Sequence, residues 1–353
     1  MTTPNEERLG GGWLVAASVL FWISWSLMPG VGVTDTKQIL ERVALQRDAV
    51  WLSTVLQLVS AACFAPPLAT LARIGHARGS RALEVGAVLL AIGAMASAAD
   101  AIFHLLAYYM TAPGMNQDAL VPLMNKMQGP GLAVLAPMLL AFFIGAATLA
   151  VGAARMGLAS ARNPWLHALA VAVALSAPLW AKGNPPAARA VGLTVLALVS
   201  GSLAGIGLGM APHLTARRLA LRTLAGLVVL GVATYVAGEQ TEVVVLRTRD
   251  DAGQVHETKM WCVDHDGAPW VRVANAERHW YQRLVAHPDV ELVRNGATSP
   301  RTAHPDPSSA TRLELDQAFA AKYGLVDFWY GAILRRGPIP IRLDPGVEAH
   351  AAR

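Results

Sequence analysis

The sequence predicts a polytopic α-helical membrane bundle of about seven transmembrane helices followed by a small α+β barrel domain. Three observations predict it. Apolar stretches of bilayer-spanning length fill residues 12–238, the composition changes abruptly at Gly238–Glu239, and residues 239–353 carry charged, strand-patterned runs. The domains are therefore drawn at 1–238 and 239–353. Apolar residues make up 54% of the chain and charged residues 15%, against roughly 45–50% and 25% in soluble domains. The charge is divided as the apolar residues are: residues 1–238 hold 15 Lys/Arg against 8 Asp/Glu, and residues 239–353 hold 14 against 16. The basic balance thus belongs to the membrane half, where it reports orientation and lipid headgroups. No basic stripe with interleaved aromatics marks a nucleic-acid partner.

The spans read as Trp13–Met28, Val50–Leu71, Ala82–Ala107, Leu132–Ala154, Trp165–Trp180, Val191–Met210 and Leu219–Ala237. A helix rising 1.5 Å per residue needs about 20 residues to cross a 30 Å hydrocarbon core, so several of these require their flanks. Gly and Ala crowd most of them, as at Gly201, Gly205 and Gly209 of the sixth, which predicts close helix approach where lipid offers no hydrophobic drive. Pro66–Pro67 and Pro137 each remove backbone bonds and predict bends. Trp13, Trp51, Trp165 and Trp180 fall at span ends, as an interfacial belt requires. The segment Thr34–Asp48 is expected to form a short interfacial helix.

With the N-terminus in the cytoplasm, the loops on that side hold nine basic residues (Arg8, Arg73, Arg78, Arg81, Arg155, Arg162, Arg217, Arg218, Arg222) against six opposite. That bias follows the positive-inside rule, and seven crossings would place the C-terminal domain on the extracytoplasmic side of the cell membrane. Ionisable groups at membrane depth are functional candidates, because an unpaired one costs several kcal/mol in hydrocarbon. Asp100 and His104 are the best case: their i,i+4 spacing puts both on one face of span three. Such a membrane polar pair can relay protons, hold a quinone headgroup, or simply reach the interface. A transmembrane haem would need facing histidines at one depth, and only His167 with His213 comes near that condition. Cys63 and Cys262 suggest neither a disulfide framework nor a metal site, and His256, His279 and His287 form no zinc-spaced set with them.

In the C-terminal half, Glu242–Thr248 is β-branched and strand-like, Asp250–Gly253 is a turn, and Val255–Val263 alternates with period two, predicting a hairpin. His265–Asp266–Gly267 turns into a strand at Trp270–Val273, a helix follows over Ala276–Ala286, and Val290–Val293 and Ala297–Ala303 flank the hairpin signal Asn295–Gly296. Beyond the proline-rich His304–Ser309, helices over Thr311–Tyr323 and Val326–Arg335 precede a last strand, Ile339–Leu343. Strands with intercalated helices and short turns make a small α+β barrel.

The order Val243–Val263, Arg272–Gly296 and Pro338–Pro345, and within it the series Asn275, Trp280, Leu284, His287–Pro288–Asp289–Val290 and Gly296, resembles the split β-barrel, deazaflavin (F420)-dependent nitroreductase-like family. The resemblance covers about 105 residues of the C-terminal half and none of the membrane half. It implies a site for F420 or FMN and hydride transfer to a quinone-like or nitroaromatic acceptor, with the chemistry supplied by the cofactor. It implies that the Thr248, Arg249 to Gly253 turn meets the cofactor's phosphate side, with Lys259 on the next strand and Asn275 and Trp280 beside the ring. It also implies a homodimer, since split barrels build such sites between subunits. In place of the family's basic Gly-Arg-Lys-Ser-Gly-like turn stands Arg249–Asp250–Asp251–Ala252–Gly253, whose two carboxylates would repel a phosphate tail. Asn275 equally suits a helix cap, Trp280 a core anchor, and Lys259 a solvated strand face. Two function classes follow: a membrane-anchored oxidoreductase reducing a lipophilic acceptor, or a non-enzymatic membrane protein that binds, signals or transports with a degenerate barrel.

Overall fold

The computed structural model of the chain describes residues 3–112, 114–214, 241–335 and 337–346, and two compact units make it up, Met1–Ala225 and Gly226–Arg353. The handover expected at Gly238–Glu239 and the seventh span, Leu219–Ala237, lie outside the described residues.

The first unit is helical: α1 (Pro4–Leu27), α2 (Thr36–Leu45), α3 (Arg47–Arg78), α4 (Arg81–Met110), α5 (Gln117–Lys126), a π-helical turn (Met127–Gly131), α6 (Leu132–Arg155), α7 (Asn163–Trp180) and α8 (Pro185–Met210). Five helical stretches are long and apolar enough to cross a membrane: Pro4–Leu27, Arg47–Arg78, Arg81–Met110, Asp118–Arg155 and Pro185–Met210, while α7 is shorter. Five of the seven expected spans thus stand among the described residues as helices of spanning length. The first span starts at Pro4 rather than Trp13. Thr3 and Glu6 close a capping box in which each side chain accepts from the other's backbone N–H, with Pro4 at the first helical position. The helices run on through Pro66–Pro67 and Pro137. The segment expected to be interfacial is helical as α2, started by Asp35, whose carboxylate accepts from the Gln38 N–H at 2.8 Å.

Packing follows small residues and inward polar groups. α4 lies against α3 and α6, α1 against α3 and α8, and α7 against α8. Phe21 stacks on Phe142 at 4.7 Å and Phe64 meets Phe142 edge-on at 5.7 Å. Where α4 crosses α6, a side chain at Gly93 would run into the Phe142 backbone and one at Gly145 into the Leu90 N–H, so the two backbones touch through glycine. Hydroxyls sew α3 to α1: Ser53 donates to the Ser24 carbonyl at 2.7 Å and Ser60 to the Ala17 carbonyl at 2.8 Å. The end of α1 is closed from a distance by Arg189, which donates to the carbonyls of Met28 and Ser26, both at 2.6 Å.

The second unit is a curled antiparallel half-barrel. Its strands are β1 (Val243–Arg249), β2 (Val255–Trp261), β3 (Val263–His265), β4 (Ala268–Val273), β5 (Asp289–Arg294), β6 (Ala297–Pro305) and β7 (Ile339–Pro345), with α9 (His279–Ala286) and α10 (Ser309–Leu334) packed on them. They form one sheet in the order β2-β1-β5-β6-β7-β4-β3. Two tight hairpins use left-handed residues: Asp266 and Gly267 at φ 49° and 72°, Asn295 and Gly296 at 52° and 77°.

The expected strand Val255–Val263 is two strands that sit at opposite ends of the sheet, parted at Cys262. There the backbone leaves one ladder for another, and α10 satisfies it. The Cys262 N–H donates to the Tyr323 hydroxyl at 3.0 Å, while its carbonyl accepts from Tyr323 at 2.8 Å and Lys322 at 2.6 Å. The Cys262 thiol is fully buried and burial pushes its pKa up to about 11, so it is an inert core group. The two expected C-terminal helices are both present, parted within Ser309–Leu334 at Gly324, whose φ of 56° and ψ of −132° no helix holds. The bend is pinned by ion pairs: Arg272 lies over the Phe319 ring at 3.8 Å and meets Asp316 at 2.8 Å and Asp327, which Arg335 also contacts at 2.5 Å. The helix expected over Ala276–Ala286 begins at His279, so Asn275 is not its cap; it accepts instead from the Glu277 N–H at 3.1 Å in a local turn.

Two outcomes follow. Gly93→Val forces a branched side chain into the Phe142 backbone and is expected to lower bundle stability by about 2 kcal/mol, read as a lower unfolding midpoint in detergent with α-helical content retained before the transition. In the barrel, hydrogen bonds first from Arg294 and then from Lys322 hold the Glu242 carboxyl below its ordinary value of 4.5. A carboxyl depressed by folding stabilises above its unfolded value and loses that contribution as pH falls through the folded one. The barrel's unfolding midpoint should therefore drop as pH is taken below about 4.5, and Arg294→Gln, which costs about 1 kcal/mol at neutral pH, should flatten that drop.

Candidate functional site

The residues with unexplained chemistry converge inside the helical unit. Asp100 and His104 lie one turn apart on α4, with the His104 Nε2 and the Asp100 Oδ2 3.7 Å apart. Neither reaches solvent freely: Asp100 is 8% exposed and the His104 side chain 19%. Gln57 on α3, 1% exposed, bridges them. Its Nε2 donates to the Ser97 carbonyl and to Asp100 Oδ2, both at 3.1 Å, and its Oε1 faces His104 Nδ1 at 3.0 Å. Trp25 of α1 meets the His104 ring edge-on at 5.5 Å, and its indole N–H is buried without a hydrogen-bond partner among the described residues.

This cluster forms one wall of a cavity of about 560 Å³, inside the roughly 300–1,000 Å³ of small-molecule sites. Met28, Val43, Val50, Phe103, Met124 and Leu132 supply apolar wall, and Thr36, Asn125 and Gln128 supply a second polar group on the side of the short helices. Those helices close the cavity against each other. Thr36 on α2 donates to Asn125 of α5 at 2.5 Å and lies 3.4 Å from Gln128 in the π-helical turn, and Lys37 pairs with Asp118 at 3.0 Å. The π turn contains Gly129–Pro130–Gly131, a sequence with little helical commitment, and such turns recur beside functional sites. Arg47 fixes the far end of α4 by donating to the Tyr108 carbonyl at 2.5 Å and the Thr111 hydroxyl at 2.9 Å.

Sequence reasoning singled out Asp100 and His104 and passed over Gln57, Trp25 and α5. The rule that marks an ionisable residue inside an apolar run marks Gln57 as well, since an amide in hydrocarbon also needs partners. Trp25, two residues from the end of α1, is half-buried, which separates it from the exposed Trp13, Trp51 and Trp165.

The barrel residues expected at a cofactor are divided. Thr248 is fully buried and accepts from Arg283 at 3.2 Å, on the face that packs against Leu284 and Trp280. Arg249 and Lys259 lie on the opposite face. Lys259 is exposed across from Val245, and Arg249 pairs with Glu291 at 3.2 Å beside an Arg247 held between Glu257 at 2.9 Å and Glu291 at 3.5 Å. Trp280 is half-buried against the sheet core. Gly253 takes φ 77° in the turn, but the turn's amides are already used. Asp250 Oδ1 accepts from the N–H groups of Ala252 at 3.0 Å and Gln254 at 2.9 Å, and its other oxygen meets His256 at 2.8 Å. The His256 hydrogen bond, then the Gln254 amide, hold the Asp250 carboxyl below its ordinary range. Asp251 meets His287 at 2.8 Å.

Neither a protein family nor a curated protein matches this chain. Among solved structures, the crystal structure of HutZ, the haem storage protein from Vibrio cholerae, is similar over 31% of this chain and 86% of that chain, with 15% identity and a TM-score of 0.26.

Proposed function

We propose that this chain is a membrane-anchored binding protein whose helical half holds the ring of a quinone-like amphipathic molecule in the cavity at Asp100 and His104. One observation carries the reading: a bridged carboxylate–imidazole pair faces a cavity with apolar walls, inside a bundle with five helices fit to cross a bilayer. A buried carboxylate beside empty apolar volume is costly unless something polar completes it. A small aromatic head with oxygen substituents matches the walls by its ring and the two polar groups by its edges, and an alkyl tail suits the hydrocarbon outside.

Reduction of that molecule by a flavin- or F420-loaded barrel is the second reading. The curl of the antiparallel sheet and the order of Asn275, Trp280 and Gly296 favour it. The self-satisfied Asp250 turn weighs against it, because the amides and positive charge a phosphate tail requires are already engaged by carboxylates. The homodimer expected of split barrels belongs to this second reading.

The test uses the full chain in anaerobic nanodiscs and a short-chain alkyl hydroquinone followed by calorimetry. Saturable binding that weakens at least tenfold, about 1.4 kcal/mol, in the Asp100→Asn/His104→Gln double variant supports the proposal. Absence of saturable binding to the folded wild type, or binding that the double variant leaves unchanged, overturns it. In the same preparation, a visible absorbance shift of added FMN or F420 would instead favour the reductase reading.

A further inference from the structure

The hydrogen bonds around Gln57 determine more than the position of the pair. A backbone carbonyl only accepts, so the end of the Gln57 amide that lies 3.1 Å from the Ser97 carbonyl must be its NH2 group. The same end reaches Asp100 Oδ2, which also accepts. The other end, Oε1, then points at His104 Nδ1 at 3.0 Å, and an amide oxygen facing a ring nitrogen requires that nitrogen to carry the proton. His104 is thereby committed to its Nδ1–H tautomer. Its Nε2 presents a lone pair, 3.7 Å from Asp100 Oδ2. That gap is too long for a direct hydrogen bond and admits one oxygen within about 2.8 Å of both atoms.

Trp25 adds the opposite polarity. Trp25 lines the same cavity with its ring edge-on to His104, and its indole N–H, a donor and never an acceptor, is buried with no acceptor among the described residues. The cavity wall therefore offers two converging acceptors and a donor. A carbonyl oxygen accepts without donating and an ammonium donates without accepting, whereas a hydroxyl does both.

We propose that Gln57 is a positioning residue that fixes the tautomer of His104, and that His104 Nε2 and Asp100 Oδ2 form a clip for the hydroxyl of a phenolic or quinol head. This rests on the reading of the cavity as a ligand site and narrows it to the hydroxyl form of the ligand. No bond is made or broken: the ligand hydroxyl shares its proton with the clip and accepts from Trp25.

The probes are para-pentylphenol and its methyl ether, equal in ring and tail but differing in the one donor. Wild-type full chain in nanodiscs is expected to bind the phenol at least tenfold more tightly than the ether, and Gln57→Leu to abolish that preference. Nitrogen-15 spectra of histidine-labelled protein, with the His104 signal assigned by its loss in His104→Gln, should report Nδ1–H in the wild type and a mixture of tautomers in Gln57→Leu. A wild type that binds both probes equally, an Nε2–H tautomer in the wild type, or a Gln57→Leu variant that weakens both probes alike overturns the clip. Equal tight binding of both probes sinks the clip alone, whereas failure of the folded wild type to bind either removes the cavity reading with it. The wild-type preference for the phenol needs no variant, so a variant that does not fold leaves that arm of the test intact.

Discussion

A polar group withdrawn from water must find its partner within the chain, and the helical unit is organised by that constraint. Gln57 is the clearest expression of it. With one amide it satisfies a helix carbonyl, a carboxylate and an imidazole on α4, and so holds α3 and α4 in one register while leaving Asp100 and His104 facing a cavity. Ser53 and Ser60 tie α3 to carbonyls of α1, and Arg189 donates to carbonyls that the end of α1 would leave unmet. Apolar contact supplies little preference between helices in lipid, so these bonds and the glycine contact of α4 with α6 decide the arrangement.

The barrel answers the same demand differently. Where the sheet changes from β2 to β3 the ladder is interrupted, and Tyr323 and Lys322 from α10 take over the Cys262 backbone groups. At the β1–β2 turn the amides that a nucleotide-like phosphate would use are taken by Asp250. One side chain thus closes this turn on itself.

Much of the fold was legible in the residues. Period-two alternation marked the strands, Asn295–Gly296 marked its hairpin, and apolar runs marked the long helices, because each signal is local. The split of Val255–Val263 at Cys262 was not legible, since the alternation continues unbroken and the cause lies sixty-odd residues away at Tyr323. At the candidate site, spacing alone brought Asp100 and His104 together, whereas Gln57 and Trp25 join them from other helices. The short helix α5, with its mixed polar face, read as a loop because nothing in its length distinguishes it from one. Thr248 and Lys259 show the converse: they are near in sequence, yet the pleat sends them to opposite faces of the sheet.

The central claim, that the bundle encloses a ligand cavity at Asp100 and His104, is tested most directly by photolabelling. A phenol carrying an alkyl tail and a diazirine on its ring would be irradiated with the full chain in native-like membranes, and the adducts mapped by mass spectrometry with and without unlabelled competitor. The account predicts competed labelling confined to residues 25–33, 100–107 and 124–132. Labelling that is not competed, or that falls on outward residues of α7 such as Leu175 and Leu179, 75% and 86% exposed, would contradict it.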